Sequence, residues 1–450
     1  MAILEGGTGR LGWQKRNMKT LKRREVPTRE ALFIHSSALV SFTVPSSHPS
    51  RLFSTFSLHC SLGASKGGSR LFTFLAQPMR FQTAKCNKIV DLFCGAGGFS
   101  LGAHRAGFHT TLAVDIDKKL TSSFKENFPT ATLLHADISE IGAAEIRQKA
   151  NLKEGELAGV IGGPPCQGFS LIGRRDLSDP RNKMIWHFCR VVRELQPRFF
   201  IMENVPGLLI GEAKKALDAA LAQLDDFETV GPVEIDAHDF GAATRRERVV
   251  IIGYKKDHVG KIDSPDLLNA KKKKKYSVRD AIADLPEPRN SEWVKYKKKA
   301  DEDLSSYAKR ARSVPAADLG SGESRLRLQR NEVSGVLRTV HTPEVVERFR
   351  EVEPGTTDAV SRCPRLEWSE AAPTLRAGTG PDKGSYQSIR PIHPTSDRVI
   401  TVREAARLQG FPDWFQFDTT KWHSFRMIGN SFSPPLSGTL LRLMSERLEA

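Results

Sequence analysis

This sequence has neither a disulfide framework nor a zinc-binding pattern. Its 450 residues include six cysteines, at 60, 86, 94, 166, 189 and 363, with no Cys-x-x-Cys pair and no partnered histidine spacing. That excludes a stapled secreted scaffold and a structural metal centre, and predicts a reduced, intracellular protein. Long apolar runs are missing too. The nearest, Ala31 to Pro45, is broken by His35 and by four serines and threonines, short of the roughly 18 residues that a membrane span needs. No membrane partner and no metal are therefore expected, and no internal repeat is visible. Acids are scarce in two places. Residues 1–78 carry 11 Lys/Arg against 3 Asp/Glu, residues 255–330 carry 20 against 12, and together these account for the formal net charge of +16. Such segments favour a polyanion such as nucleic acid, although a merely solvated surface meets the same charge count.

The length suits one large domain and a smaller one. Residues 1–85 form an extension that is Ser-rich and basic, without sustained periodicity. It reads either as a transit-type presequence or as a disordered tail or early start, with Met79 about ten residues before the first strand. From Lys88 to Tyr254, short apolar runs alternate with helical stretches. Strands are predicted at Ile89–Phe93, Thr111–Asp115, Thr132–His135, Leu157–Ile161, Arg198–Met202 and Arg248–Tyr254, with a helix over Ala213–Leu224. That alternation predicts a doubly wound, Rossmann-like α/β sheet over residues 86–254. Residues 255–420, with lysine runs at 271–275 and 297–299, read as a loop-rich second domain. Residues 421–450, helical from Pro435 to Leu448, are expected to complete the first one.

The most telling stretch is Gly162-Gly163-Pro164-Pro165-Cys166-Gln167-Gly168-Phe169-Ser170. An apolar strand leads into it, and two glycines and two prolines then stiffen the turn on which the thiol sits. A buried structural cysteine needs no such pedestal, whereas a nucleophile must meet its target at a set distance and angle. Cys94 and Cys189 fit the role of small buried hydrophobes better. Upstream, Phe93-x-Gly95-x-Gly97-Gly98 follows a strand and opens a helix, as a glycine turn does where a cofactor approaches the backbone. Asp115 and Asp137 end the next two predicted strands, the latter beside Ile138. One acid for a ribose and one for an adenine amino group fit an adenosine-containing cofactor, and these residues alone would serve NAD equally well.

Taken together with Phe199–Gly207, Thr244-Arg245-Arg246-Glu247-Arg248, Thr401–Pro412 and Gly429-Asn430-Ser431, the set resembles the C5-cytosine DNA methyltransferase family from Lys88 to the C-terminus. The resemblance implies S-adenosyl-L-methionine as cofactor, held by Phe93, Gly95, Gly97, Gly98, Asp115, Ile116, Asp137 and Ile138. Asn430 and Ser431 would close that pocket, and Thr401–Pro412 would be architectural. The family more often has Glu where Asp115 stands, so a longer or water-bridged ribose contact is expected. Cys166 is then the catalytic thiolate that adds to cytosine C6, since C5 alone is a poor nucleophile. Glu203 would serve N3 of the base. Arg246 and Arg248, two apart on an extended segment, would bind the base carbonyl and a neighbouring phosphate, or form a structural ion pair with Glu203 or Glu247. Loss of the C5 proton has no side-chain candidate. The substrate expected is double-stranded DNA with the base flipped out, and Gly168 to Arg181 would act as a lid. A monomer, a cytoplasmic (bacterial nucleoid) location and a cognate restriction endonuclease as partner complete the expectation. An organelle or nucleus would replace that location if the extension is a presequence. Two alternatives stay open: a tRNA cytosine-5 methyltransferase, and a catalytically inactive DNA-binding protein.

Overall fold

In the computed structural model, residues 86–165, 183–270, 274–296, 303–378 and 390–448 are described. Cys166, the expected lid Gly168–Arg181, the extension 1–85 and most of both lysine runs lie outside them.

The apolar runs build one seven-stranded sheet from β1 (Lys88–Leu92), β2 (His109–Val114), β3 (Thr132–Leu134), β4 (Leu157–Gly162), β5 (Phe199–Asn204), β6 (Glu228–Asp236) and β7 (Glu247–Tyr254). Helices α1 (Gly98–Arg105), α2 (Phe124–Asn127), α3 (Ala143–Lys149), α4 (Met184–Leu195) and α5 (Gly211–Leu221) connect them. The strand order is β3-β2-β1-β4-β5-β7-β6, with β7 antiparallel to both of its neighbours and the remaining pairs parallel. Alternate residues of each central strand feed two different cores. Val90, Val160, Phe200 and Met202 pack with α3, α4 and α5, while Ile89, Ile161, Phe199 and Ile201 pack on the other face with the C-terminal helix. Both faces of the sheet are covered, which is why its strands read as continuous apolar runs.

One strand escaped the sequence reading. β6 is an edge strand whose Glu-Thr-Val-Gly-Pro-Val-Glu-Ile-Asp sequence carries Gly231 and Pro232 at its centre, and its pairing with β7 slips between Val230 and Val233. Proline cannot donate to the ladder and is tolerated only at such an edge or irregularity.

Beyond the sheet come α6 (Ser264–Asn269), α7 (Val278–Ile282), β8 (Val294–Lys295), α8 (Ser306–Ala311), α9 (Gly322–Gln329), β9 (Glu332–Val333) and α10 (Pro343–Arg350). These helices are too short to show a periodicity, but side-chain caps start four of them: Asp263, Ser277, Ser305 and Ser321 each accept from the helix backbone. Most of this region shares a core with α2 and the helix that follows β1, including Leu101, Phe124, Phe128, Tyr276, Tyr307 and Phe411. A small cluster of its own joins Phe349, Cys363, Ile392 and Val399. The chain then returns through α11 (Val402–Gln409), α12 (Lys421–Asn430) and α13 (Pro434–Arg447). At Gly102 on α1 a Cβ would fall 1.7 Å from Ser437 Oγ, so glycine is what lets α13 pack that closely. Among the described residues no helix is long and apolar enough to cross a membrane.

Candidate active site

The strand order reverses between β1 and β4, which opens a crevice at their carboxyl ends. Because β7 runs antiparallel to β5, its first residues enter at the edge where β5 ends. The register pairs Glu203 with Val250 and Asn204 with Val249, so Arg248 arrives beside the end of β5. The candidate residues gather at this edge.

The turn after β1 is conformationally unusual. Phe93, Gly95 and Gly97 all have left-handed backbones, with φ of 59°, 50° and 90°. A phenylalanine there is strained, and such strain persists where surrounding structure enforces it. Cys94 donates to Val114 O at 3.2 Å and Gly97 to Cys94 O at 2.8 Å, which holds the turn. The glycines differ in purpose. A Cβ on Gly97 would strike the Phe128 ring at 2.4 Å, and one on Gly98 would lie 2.3 Å from Phe432 O and 3.1 Å from Ser431 Cβ. Gly95 faces open space, with nothing within 4 Å of where its Cβ would stand.

Gly95 donates its N–H to Asp115 Oδ2 at 2.9 Å, and Asp117 donates to Oδ1 at 2.8 Å. Burial raises the Asp115 pKa, with those two N–H groups opposing it. Ile116 beside it is 66% exposed, an unusual position for a large apolar side chain. Asp137 accepts from Ser139 N at 2.8 Å and from Ser139 Oγ at 2.7 Å, which hold its pKa down. Ile138 is buried, in the cluster that also holds Leu92, Val114 and Phe188. Asn430 is the exposed last residue of α12. Ser431 caps that helix, its Oγ donating to Met427 O at 2.7 Å and its carbonyl accepting from Gln409 at 3.0 Å.

These features fit an adenosyl cofactor. The uncovered face at Gly95 admits a ligand against the backbone, the exposed Ile116 offers an apolar surface for a base, and both acids are anchored by neighbours with lone pairs to spare. S-adenosylmethionine would be held by these residues and would supply the methyl group.

The edge that carries the candidate catalytic residues lies next to it. Arg248 Nε stands 2.6 Å from Glu203 Oε1, with the two side chains 12% and 13% exposed, and Arg248 Nη1 also donates to the Glu247 carbonyl at 2.7 Å. A Cβ on Gly163 would sit 2.7 Å from Glu203 Oε2, so this glycine leaves room for the carboxylate. Asn204, which the sequence reading passed over, donates to Pro164 O at 3.1 Å and accepts from Val205 N at 2.9 Å. It ties the end of β5 to the turn two residues before Cys166. An Asn directly after the candidate acid was the available signal.

Arg246 is placed differently from the expectation. It is buried, and its Nη2 donates to Gly429 O at 2.9 Å and its Nη1 reaches Leu375 O at 3.5 Å. Arg246 stays close enough to Arg248 and Glu203 to feel both charges, but its guanidinium braces the carbonyl next to Asn430. Cys94 and Cys189 are buried, as expected of small hydrophobes, and burial pushes the Cys189 thiol up to about 12. Arg403 is buried in the same way, donating to the carbonyls of Ser334, Pro412 and Phe415.

Comparison with known proteins identifies the family. The family described as C-5 cytosine-specific DNA methylase matches residues 87–446. The Type II methyltransferase M.XorII of Xanthomonas oryzae pv. oryzae is 37% identical over 373 residues, covering 80% of this chain and 86% of that protein. M.DdeI of Desulfomicrobium norvegicum is 30% identical over 394 residues, covering 79% of this chain and 88% of that protein. Among solved structures, an E. coli prophage protein described as a DNA modification methyltransferase superposes with a TM-score of 0.71 at 38% identity, over 81% of this chain and 99% of its own. The S. pombe Dnmt2 methyltransferase shares the fold at a TM-score of 0.53 and 16% identity, covering 81% and 99%. The chain belongs to the C-5 cytosine-specific DNA methylase family and transfers a methyl group from S-adenosylmethionine to cytosine in DNA.

Proposed function

We propose that this enzyme methylates one specific sequence in duplex DNA, working as a monomer and as the modification partner of a restriction endonuclease. The observation that carries the site assignment is the Glu203–Arg248 contact of 2.6 Å at the end of the turn that leads to Cys166. The specificity and the partnership rest on relatives named as Type II methyltransferases.

In this reading the Cys166 thiolate adds to C6 of a flipped cytosine, and the ring charge that results is met at N3 by Glu203. Arg248 orients that carboxyl and offers its remaining N–H groups to the base carbonyl. C5 accepts the methyl group, its proton leaves to a water or hydroxide, and the S–C6 bond breaks to regenerate the thiolate. Asn204 sets the approach of the turn, and Arg246 steadies Gly429 beside Asn430. Phe93, Gly95, Asp115, Ile116 and Asp137 hold the cofactor, with Gly97, Gly98 and Ser431 shaping the turn and Ile138 backing it. Residues within 255–420 contact the DNA and read its sequence through base edges.

Bisulfite sequencing of DNA and of RNA from cells expressing the chain tests this. A single fully converted-resistant cytosine context supports the reading. Scattered protection, or protection confined to RNA, overturns it.

A further inference from the structure

A second concave site lies behind α1. It encloses about 590 Å³ and is lined by Arg105, Lys274, Arg310 and Arg442 together with Tyr276 and Tyr307. Four cations line it, and no carboxylate among the described residues does. Two of the cations are held by aromatic rings. Arg310 stacks 4.8 Å from the Tyr276 centroid and 5.5 Å from that of Tyr307, and it donates to Tyr276 Oη at 2.9 Å. Lys274 lies 5.5 Å over the Tyr276 ring.

The other two are not stacked on a ring among the described residues. Neither Arg105 nor Arg442 makes a hydrogen bond or an ion pair among the described residues, whereas Arg190, Arg312, Arg398 and Arg407 all face carboxylates. All four cations are exposed to solvent. Like charges lining one concavity repel one another, and an anion that enters relieves that repulsion. Arg105 stands at the far end of α1 from the glycine turn. α1 starts at the glycine turn and ends at Arg105, so the guanidinium stem begins about 10 Å farther along the helix.

We propose that this cavity is a second ligand site, taking a small polyphosphate of the class of pyrophosphate and the nucleoside di- and triphosphates. Guanidinium groups pair with phosphate oxygens in two-bond forks, and two arginines with no ion pair among the described residues, beside two further cations, suit two linked phosphates better than one. The volume falls within the roughly 300–1,000 Å³ typical of small-molecule pockets. A duplex is too broad to enter such a concavity.

Isothermal titration of the full chain with pyrophosphate and with orthophosphate tests the site. One pyrophosphate should bind per chain, at least about tenfold tighter than orthophosphate, and Arg105→Gln or Arg442→Gln should weaken it by about tenfold or more. Arg442→Lys should retain part of the affinity, and S-adenosylhomocysteine should bind all variants alike. Absence of saturable pyrophosphate binding overturns the proposal, as does binding that both Gln variants leave unchanged. Displacement of pyrophosphate by S-adenosylhomocysteine would instead place it at the cofactor crevice. Displacement by duplex DNA, with parallel loss of DNA affinity in the variants, would make the cavity a backbone contact and also end the proposal.

Discussion

Arg248 with Glu203 at the proposed catalytic edge, and Arg407 with Asp413 beneath α11, are both arginine–carboxylate contacts of 2.6 Å. Their surroundings differ. Arg407 and Asp413 are wholly buried, and every N–H of Arg407 has a partner: Asp413 twice, Asp284 twice and the Ala281 carbonyl. Arg312 and Tyr296 close the network from outside. Arg248, by contrast, has described partners at Nε and Nη1 only, and its pair keeps some exposure. A saturated pair has no capacity left for a substrate and holds elements together. An unsaturated one at a sheet's carboxyl edge can still accept a base. Distance alone would not have separated them.

The largest expected effect breaks the catalytic side of this contrast. Cys166→Ser should abolish methyl transfer, while the affinity for S-adenosylhomocysteine stays within about twofold of the wild type, because the thiol is assigned to the base and not to the cofactor. DNA carrying 5-fluorocytosine cannot lose its C5 substituent, so wild-type protein should form a covalent complex that survives denaturation. An equal complex with Cys166→Ser would assign the nucleophile elsewhere.

The next test asks whether the Glu203–Arg248 pair works or merely packs. Glu203→Gln and Arg248→Lys should each lower the single-turnover rate by about 10²–10⁴-fold, the usual span for a positioned proton donor or acceptor. Unfolding free energy should change by no more than about 1–2 kcal/mol, because the pair is partly solvated. A large stability loss with little rate change would move it to the structural class.

Arg407→Leu should show the opposite pattern. Removing one member of a saturated buried network strands Asp413 and Asp284 without their main counter-charge, which typically costs about 3–5 kcal/mol. Urea denaturation gives the number, and a loss below about 1 kcal/mol would mean that saturation is a poor guide to structural weight.

The same contrast explains what could be read from the sequence. The parallel core of the sheet was legible because β1, β4 and β5 are buried on both faces and therefore appear as unbroken apolar runs bounded by glycine, proline or polar residues. β6 was not, since Gly231-Pro232 at its centre is a turn signal in any one-dimensional reading. The region 255–400 looked loop-rich because its helices span one or two turns and share a core with residues more than a hundred positions away. Glu203, Arg248 and the glycine turn stood out through motif and spacing. Arg246 did not reveal its task, because the carbonyls it braces, at Leu375 and Gly429, lie far along the chain. The cationic cavity has no sequence signature for the same reason.

Asp91 tests whether an unsaturated carboxylate must be functional. It lies on β1, almost fully buried; Ser100 Oγ donates to its Oδ2 at 2.5 Å, and its Oδ1 has no partner. It projects with Ile89 toward the α1 side, under the helix and away from the crevice. Burial pushes its pKa up to about 7 from an ordinary 3.8, with Asp115 adding to the rise and the Ser100 bond opposing it. The unfolded chain releases this proton near pH 4 and the folded chain only near neutrality. Stability from Asp91 is therefore complete below about pH 4, declines as pH rises through the interval to about 7, and levels off above it. Asp91→Asn removes that ionisation. Between pH 5 and pH 8 the variant should gain about 2–3 kcal/mol relative to the wild type, whatever constant offset its new amide introduces. Methyl-transfer rates for folded protein should match at both pH values. A stability difference that stays flat with pH would mean that Asp91 ionises normally in the fold. A rate that changes with the substitution would give this carboxylate a part in the reaction, and an open lone pair would then mark function wherever it occurs on β1.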